Sequence, residues 1–125
     1  MPLSRERHST VICLQEGKIL FVRKEAPVWS LPGGKLETGE QPLEAARREL
    51  REETSLPLEE AQYLGHHTYA AEEHYLYKMP VASSAQPIAD DEIVECHWFT
   101  PTELVHVSVK PTNLDLLRRA GLLDR

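Results

Sequence analysis

Residues 33–56 read GGKLETGEQPLEAARRELREETSL, a double-glycine turn followed by the strongest helix signal in the chain. Pro42 suits a first helical turn, and Ala, Leu, Glu and Arg fill the positions up to Thr54. Pro57 then prevents continuation. At about 100° per residue, with Glu49 as origin, Glu52 falls near about −60° and Glu53 near about +40°. Three carboxylates therefore share about a third of the helix circumference. Leu43, Ala46 and Leu50 form an apolar stripe beside them. Arg47, Arg51 and Glu44 face solvent, and small Ala45 lies beneath the acidic face.

Carboxylates that close repel by a few tenths of a kcal/mol per pair and raise one another's pKa. A hard divalent cation removes that penalty, because carboxylate oxygens are the ligands Mg²⁺ or Mn²⁺ prefers. Taken alone, the helix also fits a solvated acidic face with Glu44–Arg48 and Arg48–Glu52 ion pairs. The surrounding spacing separates the two.

Working outward, Ser9–Gln15 is β-branched and apolar, and Ile19–Val22 reads as its hairpin partner across the turn Gln15–Lys18. Trp29–Leu31 is a short extended piece stopped by Pro32-Gly33-Gly34. Strands are expected at Gln62–Ala71, His74–Val81 and Ile93–Phe99, with a loop at Ser83–Asp91. A short helix should start at Thr100-Pro101, and a last one should span Thr112–Ala120, closed by Gly121. Strands on both sides of one long helix, with helices at the end, imply an α/β fold with a mixed sheet packed by helices on more than one side.

The 125 residues suit one domain, residues 1–125, large enough for a core without disulfides. Cys13 and Cys96 sit in apolar runs and read as buried thiols. The six histidines stand at no zinc-finger spacing with them. No run approaches a membrane span of about 18 apolar residues. Arg5, Glu6, Arg7 and His8 stand where a secretory leader would be apolar, so a cytoplasmic chain is expected. A net charge of −6 disfavours grip on a nucleic-acid duplex but leaves a small phosphorylated substrate open, given metal ions.

Gly34, five residues, Glu40, seven residues, Arg48-Glu49-Leu50, one residue, Glu52-Glu53, one residue, Ser55-Leu56: this pattern resembles the signature box of the Nudix (MutT-like) hydrolases. Eight of its nine defined positions match over residues 34–56. Ser55 departs, standing where the family has a glycine that ends the helix in a left-handed conformation. A non-glycine residue there costs about 1 kcal/mol. The resemblance implies an α/β/α sandwich and a metal-dependent hydrolase of a nucleoside diphosphate linked to another group.

Carried over residue by residue, it implies that Glu49, Glu52, Glu53 and the Gly33 carbonyl ligate Mg²⁺ or Mn²⁺. Arg48 would orient a box glutamate, and Glu40 would act as a structural or outer carboxylate. Glu53 is the first candidate for the base that activates water. Glu92, in Asp90-Asp91-Glu92, is the candidate if the base lies in a late loop. For the substrate, Asn113 in Lys110-Pro111-Thr112-Asn113 could offer donor and acceptor to a purine edge. Arg23 and Lys24 form a basic rim, and Trp29, Phe21 or Tyr69 could stack on a base. The leading expectation is a nucleoside-triphosphate pyrophosphohydrolase yielding a monophosphate and pyrophosphate. A nucleotide-sugar or RNA 5′-end pyrophosphohydrolase, or a nucleotide-binding module without turnover, stays open. The sequence does not fix the oligomeric state.

Overall fold

Strand β1 (Glu6–Gln15) is buried along most of its length, as expected of a strand covered on both faces. In the computed structural model, which describes residues 4–124, β1 is the centre of the sheet. The first three residues of the N-terminal stretch read above, and Arg125, lie outside the described residues. One edge of β1 pairs in parallel with β6 (Glu72–Pro80), in register from Glu6↔Glu72 to Leu14↔Pro80. Its other edge is shared by two antiparallel partners. β2 (Lys18–Arg23) takes its C-terminal end, and β4 (Gly33–Lys35) takes His8–Thr10. β3 (Trp29–Ser30) and β7 (Glu95–Phe99) pair with β2, and β5 (Gln62–Thr68) pairs with β6. The sheet is thus mixed, in the order β3-β2-β1-β6-β5 with β4 and β7 branching from it.

Alternation along β1 divides the core between the two faces. Val11 and Cys13 pack with Ala46 and Leu50 of α1 (Pro42–Thr54) and with Leu56 and Leu58. Ile12 packs on the opposite face with Phe21, Leu76, Leu116 and Leu117. That second face is covered by a 3₁₀ helix (Thr102–His106) and α2 (Pro111–Arg119). The result is the expected α/β/α sandwich. No helix among the described residues is long and apolar enough to cross a membrane.

Several local expectations are corrected. Gly33–Lys35 is a strand rather than a stop, because Gly33 and Gly34 pair with Thr10 and Ser9 of β1. β1 begins at Glu6, three residues early, because the parallel ladder with β6 extends its polar end. Leu43 leaves the apolar stripe and is 44% exposed at the first turn of α1. Cys13 is buried, but Cys96 is only partly buried. The helix end is as expected: Ser55 adopts φ 65° and ψ 4°, with its N–H on the Arg51 carbonyl.

Candidate active site

The sharp entry from β4 into α1 sets the site. Gly33 has φ 151°, and a Cβ there would lie 2.2 Å from the Ser9 carbonyl oxygen. A Cβ on Gly34 would lie 2.5 Å from the Glu49 carboxyl carbon. Gly33 must be glycine if β4 is to lie against β1, because its clash is with backbone, whereas a side chain at Gly34 would displace the Glu49 carboxylate. The gain is chemical: the Gly33 N–H donates to Glu53 Oε1 at 2.9 Å.

Arg48 organises the opposite side of the acidic face. Its guanidinium grips Glu40 through Nε (2.8 Å) and Nη2 (3.0 Å). Nη1 donates to Glu49 (2.8 Å) and more loosely to Glu52 (3.3 Å), while Nη2 also reaches the Lys35 carbonyl. The expected Arg48–Glu52 pair is present, whereas Glu44 instead accepts from the Gln41 N–H at the helix start. Glu40 is held down at about 2, chiefly by the Arg48 hydrogen bonds. Charge-assisted forks of this kind fix the direction of a side chain as well as its charge.

Burial acts the other way on the inner carboxylates. Glu53 is 7% exposed. Loss of water pushes it up to about 8, against the Gly33 N–H and with help from the Glu49 charge. Glu49 is also raised by burial, with Arg48 opposing. A cavity of about 480 Å³ opens over these groups, lined by Glu49, Glu52, Glu53, Asp91 and Glu92 on one side. Glu92 reaches it from the loop after β6, its side chain 70% exposed and paired with Lys24 Nζ at 3.0 Å. Hard oxygen donors that are short of water and mutually repulsive fit a divalent cation. Their oxygens do not converge on one point, however. Among the described residues, the three groups whose ligand atoms lie within 4.8 Å of one another are Glu6, His8 and Glu72, on the β1–β6 side.

The structure therefore brings Gly33, Glu49, Glu52, Glu53, Glu92 and Asn113 to one cavity. It does not bring Arg23 or Trp29 there. Arg23 turns to Glu95 (2.9 Å) and sits over the Trp29 ring, and Trp29 packs edge-on against Phe99. Phe21 is fully buried, and the Tyr69 hydroxyl donates to Asp115. Asn113 is 3% exposed, and its Oδ1 accepts the Leu31 N–H at 2.7 Å. That spends the acceptor half of the amide on tying α2 to the β3–β4 connection. Sequence reasoning missed Lys35, Lys110, Asp91, His8, Thr10 and His74, which also line the cavity. Lys35 follows the glycine pair and was legible there. His8 and His74 meet only through the parallel register of β1 and β6.

The site thus lies in an α/β/α fold, where a carboxylate-bearing helix entered from a glycine pair opens on a cavity at the edge of a mixed sheet. The chain belongs to the Nudix family: the NUDIX domain model matches residues 4–120. It is 31% identical over 113 residues to the phosphatase NudJ of Escherichia coli K12, covering 81% of this chain and 73% of that protein. A Nudix hydrolase family member from Chromobacterium violaceum superposes with a TM-score of 0.83 at 29% identity, over 97% of this chain and 79% of that one. The NUDIX domain of Shewanella oneidensis NrtR, solved with ADP ribose, shares the fold: its TM-score is 0.80 at 16% identity, over 95% and 88% of the two chains. The protein is thus an enzyme of a family that hydrolyses nucleoside diphosphate derivatives and generally uses a divalent metal.

Proposed function

We propose that the chain is a Mg²⁺- or Mn²⁺-dependent pyrophosphohydrolase of nucleoside triphosphates, releasing a nucleoside monophosphate and pyrophosphate. The observation that carries this is the pairing, in one cavity, of the box carboxylates with Lys24, Lys35 and Lys110. Carboxylates alone suit metal. Lysines beside them favour a polyanionic chain over an uncharged sugar. All four box glutamates are present, which favours turnover over a silent binding module.

Glu49, Glu52 and Glu53, with the Gly33 carbonyl, would hold the metal, which when bound neutralises the phosphate charge and acidifies water. The chain's own groups do the rest. Arg48 keeps Glu49 aimed inward while gripping Glu40. The Gly33 N–H fixes Glu53, the first choice to take the proton from attacking water. Glu92 is the second choice, held by Lys24 until phosphate oxygens compete for that ammonium. Incubating nucleoside triphosphates, nucleotide sugars and dinucleotides with Mg²⁺, with and without chelator, and reading product masses tests the proposal. Monophosphate and pyrophosphate that vanish with chelator are expected. Cleavage of sugar nucleotides alone, or equal turnover in chelator, overturns it.

A further inference from the structure

The cavity holds groups that the proposed phosphate chemistry does not use. Its lining holds aromatic rings at two positions, His8 and His74. They stack with centroids 5.1 Å apart and planes inclined by 24°. Tyr69 meets the His74 ring edge-on at 5.8 Å, so the rings run Tyr69, His74, His8, and the next side chain across the sheet is the exposed, flexible Lys35. This file follows from sheet geometry, since His8 and His74 are direct partners in the parallel β1–β6 ladder.

The His74 ring is held on both nitrogens, the His8 ring on one. His74, 3% exposed, has both nitrogens engaged, Nδ1 with the Thr10 hydroxyl at 2.7 Å and Nε2 with Glu72 at 2.8 Å. Glu72 is pinned in turn by the Thr112 hydroxyl of α2. His8 Nε2 lies between Glu6 (3.3 Å) and Glu72 (3.7 Å), which sets the plane of its ring. A flat ring backed by another ring and fixed at its polar edge loses little entropy when a third ring lies on it.

We infer that His8, backed by His74, is the platform on which the enzyme stacks a planar heteroaromatic ring, such as a nucleobase, carried by the diphosphate. The inference rests on the proposed nucleotide reading and adds where and how the base is held.

The test uses binding first and turnover second. Adenosine monophosphate and ribose 5-phosphate are titrated into metal-free wild type, His8→Ala and His8→Phe, with folding checked by melting. The His8 ring-proton resonances are followed by NMR. For adenosine monophosphate, His8→Ala should weaken binding about tenfold or more, and His8→Phe should restore most of it. Ribose 5-phosphate should discriminate far less, and only the base should shift the His8 ring protons by ring current. Equal weakening for both ligands, or His8→Phe behaving as His8→Ala in a folded protein, overturns the platform. In turnover, the KM ratio of ATP to phosphoribosyl pyrophosphate should rise in His8→Ala with little change in the kcat ratio; a KM ratio that stays at the wild-type value also overturns it. Base-selective binding without any pyrophosphohydrolysis would sink the proposed reaction and leave the platform standing.

Discussion

Glu53→Gln should separate what the carboxylate does for chemistry from what it costs the fold. In the metal-free protein, burial pushes Glu53 from 4.5 up to about 8. The folded pKa exceeds the unfolded one, so the stability this group contributes is complete below about 4.5. It is lost as pH rises toward and through about 8, then changes no further. Full ionisation of a group so displaced opposes folding by about 5 kcal/mol at most. Water entry and side-chain relaxation reduce this, leaving about 2–4 kcal/mol. Glutamine keeps an oxygen for the Gly33 N–H and carries no charge.

In chelator at pH 9, Glu53→Gln should therefore be the more stable protein by about 2–4 kcal/mol, or about 8–15 °C in Tm for a chain of this size. At pH 5.5 the gap should shrink to less than about half. Magnesium should raise the wild-type Tm more at pH 9 than at pH 5.5, and should raise that of Glu53→Gln less. The same variant, assayed with Mg²⁺, should lose at least about 100-fold in kcat. Thermal melts at four pH values, with chelator or metal, decide the matter. A variant no more stable than wild type at pH 9, or a gap independent of pH, would refute burial as the cause.

Other substitutions read out neighbouring parts of the site. Arg48→Met should lower kcat while KM changes less, because Glu49 loses the group that aims it. Its stability deficit should narrow as pH falls below about 4.5 toward 2, where protonation of Glu40 removes the same contact from wild type; a deficit that widens in acid would contradict this. Ser55→Gly should gain at most about 1 kcal/mol and leave turnover unchanged, since Ser55 already sits at φ 65°; a clear fall in Tm would count against it. Asn113→Ala should cost about 1–3 kcal/mol by leaving the buried Leu31 N–H unpaired, and should depress purine and pyrimidine substrates alike. A purine-selective KM rise at unchanged Tm would return Asn113 to base recognition. Glu92→Gln, compared with Glu53→Gln, decides the base: a loss below about tenfold in kcat leaves the role with Glu53.

What the sequence made legible is the part whose geometry is local. The acidic face of α1, the Arg48 grip and the left-handed end at Ser55 depend on spacings of at most eight residues, and helical periodicity carries them. β4 was hidden because glycines give no strand propensity. Its existence depends on Ser9 and Thr10, more than twenty residues earlier. The misplacement of Arg23 and Trp29 has the same origin. Both lie near the glycine turn in sequence, but pairing of β2 with β3 and β7 turns them toward Glu95 and Phe99. The histidine pair is the extreme case, with partners 66 residues apart that only the parallel crossover could align.

The late loop shows how the local and the long-range parts are coupled. The last carbonyls of a helix lack intrahelical donors and must find partners elsewhere. Here the Thr54 carbonyl takes the Ile88 N–H at 2.8 Å, and the Glu53 carbonyl takes the Asp90 N–H at 3.3 Å. The loop bearing Glu92 thus hangs from the turn of α1 that bears Glu53. Asp91, at φ 58°, bends the chain between anchor and acid. Whichever carboxylate takes the proton, its position is referred to the C-terminal end of α1. That end is fixed from below by Leu50 and Leu56 in the core and from the side by the Gly33 N–H. The helix therefore supplies the box carboxylates and also anchors the loop that brings Asp91 and Glu92 to the cavity.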